Sequence, residues 1–167
     1  MAFRKVTRAT EAFDVSWGDE FDVAPWTEDA SQRIADFLYG TGSKAFTELS
    51  ECSDGTRQSA LHYVTRARKH MADKPERDTG YACSSLVTDK RTGELIAVCL
   101  CCGPSVYHIE VAPSHQRQGV AARMLRRALA VCAARGSEEF HSWRCDGTPE
   151  AKLYDKLGFQ WTDETEG

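Results

Sequence analysis

Apolar residues recur at helical spacing in two stretches of the first half of the chain and at strand spacing in the stretch that follows. Phe21, Asp22, Val23 and Ala24 alternate like a strand, which Pro25 closes. Thr27 is placed to cap a helix with Glu28 and Asp29 in its first turn and Ala30, Ile34, Phe37 and Leu38 on its apolar face, ending at Gly40. Ala60, Val64, Ala67 and Met71 mark a second amphipathic helix over 56–72. Residues 81–88, 94–102 and 105–111 then read as three strands with short connections at 89–93 and Gly103-Pro104, an antiparallel meander. A long helix is predicted over 118–135, striped by Val120, Met124, Leu125, Ala128, Val131 and Cys132 and stopped by Gly136. Residues 139–145 form the next strand. Thr148, Pro149 and Glu150 supply the N-cap, first position and first turn of a last helix, which Gly158 ends before a short strand over 159–162.

The predicted order is β-α-α-β-β-β-α-β-α-β. It implies an α/β fold with a mixed, mostly antiparallel central sheet flanked by helices. Residues 20–167 make one domain, and residues 1–19 are set apart as an N-terminal extension in which 3–7 is either an edge strand or an ordered arm.

Composition narrows the function classes. A chain of 167 residues with 41% hydrophobic and 28% charged residues buries an ordinary core. Its net charge of −4 speaks against nucleic acid as a partner, and its longest apolar run, 95–102, is strand-sized, so no membrane partner is expected. Arg4, Lys5 and Arg8 precede no apolar segment of the kind a secretory signal needs, so a cytoplasmic protein is expected. Seven cysteines include no CxxC pair. Cys99 and Cys101 share a strand face, and the set reads as buried, reduced thiols with no metal site. Trp17, Trp26, Trp143 and Trp161 are expected in the core.

The candidate chemistry lies where a strand runs directly into the long helix, over Val111-Ala112-Pro113-Ser114-His115-Gln116-Arg117-Gln118-Gly119-Val120-Ala121. A helix N-terminus presents unpaired N–H groups and the positive end of the dipole, which suits a diphosphate. Gly119 and the small Ala121 let an anion approach the backbone, while Arg117 and Arg123 add positive charge. There is no Gly-Lys-Ser/Thr and no GxGxxG, so the common nucleotide loops are excluded.

The string Gln116-x-x-Gly119-x-Ala121 resembles the Q/R-x-x-G-x-G/A signature of the GNAT N-acetyltransferases. Leu153-Tyr154-Asp155-Lys156-Leu157-Gly158-Phe159 resembles the second signature of that superfamily, and the likeness extends over about 20–161. It implies acetyl-CoA as co-substrate. Backbone groups of Ile109, Glu110 and Val111 would pair with the pantetheine arm in a gap between splayed strands, with the Val111 N–H near the acetyl oxygen. Gln116, Arg117, Gln118, Gly119, Val120, Ala121 and Ala122 would line the diphosphate site, their N–H groups from Arg117 onward holding the anion. Tyr154 would be the general acid. Glu110 or His108, two apart on one strand face, is the candidate general base, with Tyr107 third because regular alternation puts it on the other face. The superfamily often carries Asn seven residues before the tyrosine. Gly147 stands there and contributes only backbone.

The resemblance therefore implies an N-acetyltransferase acting on a primary amine of a small molecule or peptide. A non-catalytic acyl-CoA binding module is the alternative. A purely structural α/β interaction protein would have to leave the loop unused. The polar segment 40–55, with Lys44, Glu48, Glu51 and Asp54, is the expected substrate-facing loop. The tail after Phe159 is short, so a wall of the site would come from residues 1–18 or from a partner chain in a homodimer.

Overall fold

The computed structural model of the chain describes residues 3–41, 57–145 and 147–162. In chain order the elements are β1 (Phe3–Ala9), β2 (Phe21–Ala24), α1 (Ser31–Thr41), α2 (Arg57–Met71), α3 (Arg77–Cys83), β3 (Ser85–Asp89), β4 (Leu95–Cys101), β5 (Val106–Val111), α4 (Val120–Ala134), β6 (Glu139–Cys145), α5 (Pro149–Lys156) and β7 (Gln160–Trp161). Pairing divides the strands into two antiparallel sheets, β2-β3-β4-β5 and β6-β1-β7. They touch at one parallel bridge, Ser105 to His141, where the His141 N–H donates to Pro104 O at 2.8 Å. The mixed character expected of a single sheet is thus confined to that bridge.

Strand alternation builds two cores. Val87, Ala97, Cys99 and Cys101 face α4, packing with Met124, Leu125 and Leu129. Leu86, Val98 and Leu100 face α1 and α2, packing with Ile34, Leu38, Val64 and Met71. Strand β4 is therefore buried on both faces, and its near-continuous apolar run follows from that. Cys83, Cys99, Cys101 and Cys132 are free and buried, with 3.9 Å between the Cys99 and Cys101 sulfurs. Among the described residues no group of His, Cys, Asp or Glu is arranged to hold a metal ion, and no helix is long and apolar enough to cross a membrane.

Several expectations are corrected. Strand β1 is neither an edge nor an arm but the middle strand of its sheet, paired along its whole length with β6 and at Val6 and Thr7 with β7. The strand expected over 81–88 begins only at Ser85, because Tyr81, Ala82 and Cys83 close α3. Gly80 lets that helix lie against the chain: a Cβ there would sit 2.6 Å from the Gly103 nitrogen and 2.9 Å from the Met71 sulfur. Thr27 caps no backbone group; its hydroxyl donates to Asp29 Oδ1 (2.7 Å), and a 3-10 turn over Glu28–Ala30 leads into α1. Gly40 lies inside α1, which runs to Thr41. Trp26 is buried as expected, whereas Trp143 and Trp161 are half exposed, Trp161 beneath the Arg4 guanidinium.

Candidate active site

From their contact at Ser105 and His141, parallel strands β5 and β6 separate, and the gap opens toward the N-termini of α4 and α5. The ladder between β4 and β5 decides what β5 offers to that gap. Ala112 N–H donates to Ile96 O at 2.8 Å, which marks 112 and 96 as a hydrogen-bonded pair. The register continues through Ala97–Val111, Val98–Glu110 and Cys99–Ile109. Alternation along an antiparallel ladder therefore turns the backbone of Glu110 toward β4 and that of Ile109 and Val111 away from it, into the gap.

A cavity of about 510 Å³ occupies this space. Ile109, Glu110 and Val111 form one wall, and Gln116, Arg117, Gly119, Val120, Ala121 and Ala122 form the end at α4. His115 joins the first set to the second, and Pro149, Glu150, Leu153 and Lys156 supply the opposite wall from α5. Leu153 and Lys156 belong to the second signature and Pro149 and Glu150 to the helix start, but none of the four was expected to line the groove. Their 3- and 4-residue spacing on one helix face was the available signal, and it equally fits packing.

The loop between β5 and α4 has a defined shape. Arg117 has φ 64° and Gly119 φ 79°, both left-handed. For Gly119 this carries no steric penalty, whereas for Arg117 it costs on the order of 1–2 kcal/mol. The Gln116 side-chain amide donates to Val111 O at 3.0 Å, and the Gln118 amide donates to Ser114 O at 3.5 Å. These bonds hold the loop so that the first N–H groups of α4 open on the cavity. Gln118 itself lines a neighbouring cavity of about 400 Å³ together with Ser114, His115 and Asp89. Gly147, with φ 83°, is exposed in the turn before α5 and does not line the groove; beside it Thr148 caps α5 by accepting from Ala151 N–H.

Tyr154 is 2% exposed and does not form part of the groove wall. Its ring packs edge-on to Phe159, and its hydroxyl accepts from Ser142 Oγ at 2.6 Å. Burial raises its pKa above the ordinary phenol value, with Ser142 acting in the opposite sense. Its hydroxyl thus meets β6 at Ser142, and Cys99 and Cys101 of β4 belong to the same core.

The base candidates sit on the other side of β5. His108 is 6% exposed, and burial pushes its pKa down to about 4, so it is neutral at physiological pH. Its Nδ1 lies 2.9 Å from the Tyr63 hydroxyl and its Nε2 3.8 Å from Glu110 Oε2. Nδ1 is thus engaged by Tyr63 while Nε2 faces Glu110. Glu110 is more exposed, lines the groove, and accepts from the Thr41 hydroxyl at 3.3 Å. Tyr107 joins this set, against the expectation from regular alternation. The register passes from Leu100–His108 to Cys101–Val106, leaving Tyr107 as a bulged residue. Tyr63 consequently meets both rings, with centroids 5.2 Å from Tyr107 and 5.6 Å from His108. The expected substrate-facing carboxylates Glu48, Glu51 and Asp54, with Lys44, lie outside the described residues.

Known structures share this architecture. The chain is similar over 96% of its length to a GCN5-related N-acetyltransferase from Sphaerobacter thermophilus, at 17% identity and a TM-score of 0.63. It spans only 48% of that protein, about half its length. It is also similar, over 84% of its length and 85% of the other chain, to a Corynebacterium glutamicum protein described as histone acetyltransferase HPA2 and related acetyltransferase (21% identity, TM-score 0.57). These likenesses concern the fold. No curated protein matches the sequence. The sequence profile described as Acetyltransferase (GNAT) family matches residues 44–159, well over half of the chain. The chain therefore belongs to the GNAT acetyltransferase family.

Proposed function

We propose that this protein transfers an acetyl group from acetyl-CoA directly to a primary amine carried by a small molecule or peptide. The observation that carries the proposal is the groove between β5 and β6, where the outward-turned backbone of Ile109 and Val111 leads to the left-handed Gly119 at the head of α4. An extended pantetheine arm matches a strand edge, and a diphosphate matches a helix N-terminus. Arg117 and Lys156 add positive charge to the same cavity.

In the reaction the amine nitrogen attacks the thioester carbonyl, a C–N bond forms, and the C–S bond breaks. The Val111 N–H, aimed into the gap, stabilises the developing oxyanion; a backbone donor of this kind is worth about 3 kcal/mol. Glu110 takes the ammonium proton, directly or through water, because it is the carboxylate-bearing residue of β5 and lines the groove. Neutral His108 lies behind it and points its Nε2 at the carboxylate. Tyr154 returns a proton to the thiolate: Ser142 donates to the phenol oxygen, so the phenol proton is the one available to sulfur.

The burial of Tyr154 beneath the groove favours one other reading, a domain that binds acyl-CoA without turnover. Calorimetry with acetyl-CoA comes first. Wild type is expected to bind, and Gly119→Glu to lose about tenfold or more in affinity because a carboxylate enters the diphosphate site. Gly119→Asn, which tolerates the left-handed backbone, controls for strain. Folded wild type that fails to bind at high micromolar ligand overturns the proposal. Binding without acetylation of any amine in a broad screen would leave the non-catalytic reading.

A further inference from the structure

One buried carboxylate outside the groove is built into the loop that ends it. Asp89, the last residue of β3, is 4% exposed and divides its two oxygens between two tasks. Oδ1 accepts the Arg91 N–H at 2.8 Å and shapes the turn into β4. Oδ2 faces His115 Nε2 at 3.4 Å, with the exposed Arg91 guanidinium 3.7 Å away. The other ring nitrogen of His115 meets Ser114 Oγ at 2.7 Å, and the ring stands edge-on to Phe21 of β2 at 6.0 Å. His115 is thus fixed on three sides by groups from β2, β3 and its own turn. It is also the residue shared by the groove and the neighbouring cavity. The next two residues are Gln116, bonded to Val111 O, and Arg117, held in a left-handed conformation that a non-glycine residue keeps only when its surroundings impose it.

We propose that Asp89 is a positioning residue that acts through His115 to pre-shape the coenzyme loop 116–119, so that the loop is ordered before ligand arrives. The inference rests on acetyl-CoA as the ligand of the groove. A carboxylate accepting from Nε2–H sets the tautomer in which Nδ1 accepts from the Ser114 hydroxyl. Both nitrogens are then committed to the scaffold, and the imidazole anchors the N-terminal end of the loop just as the Gln116 amide anchors its middle. A loop ordered in advance spares the entropy of ordering on binding, so the benefit falls on affinity and not on the chemical step.

The test is a double-mutant cycle on acetyl-CoA affinity by calorimetry, with kcat and KM measured in parallel. Asp89→Asn keeps an oxygen for the Arg91 N–H but withdraws the charge and acceptor from His115. It is expected to weaken acetyl-CoA binding about fivefold with kcat unchanged. In a His115→Phe background, which keeps a ring against Phe21, the same substitution is expected to have no further effect. Equal losses in both backgrounds would mean that Asp89 acts through the turn alone, and the proposal would be wrong. An unchanged affinity in Asp89→Asn would overturn it as well. Should Asp89→Asn not fold, Ser114→Ala repeats the cycle from the other ring nitrogen, and additivity with His115→Phe would count against the proposal. Wild type that binds no acetyl-CoA defeats the functional reading and this inference together, whereas binding without coupling defeats the inference alone.

Discussion

At the scale of single residues, two buried polar groups decide most of what the site can do. Tyr154 was legible as a motif residue, but its surroundings were not, since helix spacing describes a catalytic and a core tyrosine alike. Its hydroxyl accepts from Ser142 and its ring packs on Phe159, so Tyr154→Phe separates the roles. An acid role predicts a fall in kcat of about a hundredfold with KM nearly constant. A packing role alone predicts unchanged kcat and a loss of about 1 kcal/mol in denaturant unfolding, from the unpartnered Ser142 hydroxyl. His108 makes a prediction about pH. Burial holds its folded pKa at about 4, below the ordinary value of 6.5, so between those values the unfolded chain binds more protons than the native one. Stability contributed by neutral His108 is present above pH 6.5 and declines as pH falls toward 4, by up to about 3 kcal/mol. Urea unfolding from pH 7.5 to 4.5 is expected to show this decline in wild type and a shallower one in His108→Gln, which keeps an acceptor for Tyr63. Parallel slopes would show that His108 does not titrate this way.

At the scale of elements, legibility followed the strength of local periodicity. The long helix ending at Ala134 and the strand Glu139–Cys145 were readable because an apolar stripe and a glycine stop coincide there. Helix α3 was not. Its sequence, Arg77-Asp78-Thr79-Gly80-Tyr81-Ala82-Cys83, has no apolar stripe, and its existence depends on partners far along the chain. Ser84 Oγ donates to Gly80 O at 2.6 Å, and the Arg127 guanidinium of α4 donates to the carbonyls of Ala82 (3.1 Å), Cys83 (3.3 Å) and Ser84 (2.9 Å). The end of α3 is thereby capped from another helix. Arg127→Met keeps the apolar stem but leaves those carbonyls without the cation, and a loss of about 2–3 kcal/mol in unfolding free energy is expected. A change below 0.5 kcal/mol would mean that water replaces the guanidinium at little cost. The bulge at Tyr107 was hidden for the same reason. Alternation can be counted from sequence, but a one-residue slip against β4 is a property of the pairing.

At the scale of the whole molecule, the site is a consequence of two sheets that meet and then part. Sequence order alone suggested one continuous sheet, because β5, β6 and β7 are separated by helices of ordinary length. The divide falls between β5 and β6, and β1 lies beyond it, on the far side of β6, where it joins β6 to β7. Composition offered little hint of this, since residues 3–9 carry three cations, and Val6 is the buried apolar side chain among those whose burial is described. The consequence is testable. Strand β7 pairs only with β1 among the described residues, and β6 pairs with it through seven register positions. Removing residues 1–10 would expose both ladders and uncover Phe140 and Phe159, which belong to the same core as Val6. Deletion is therefore expected to abolish the cooperative thermal transition followed by circular dichroism, and not merely to lower its midpoint. It would also disturb the groove proposed for acetyl-CoA, because α5, which forms its far wall, packs on β6. A shortened chain that melts cooperatively near the wild-type temperature and keeps its coenzyme affinity would show that the β2-β3-β4-β5 sheet, with its helices, carries the site unaided. The N-terminal strand would then be an accessory to the fold and not the support of its second sheet.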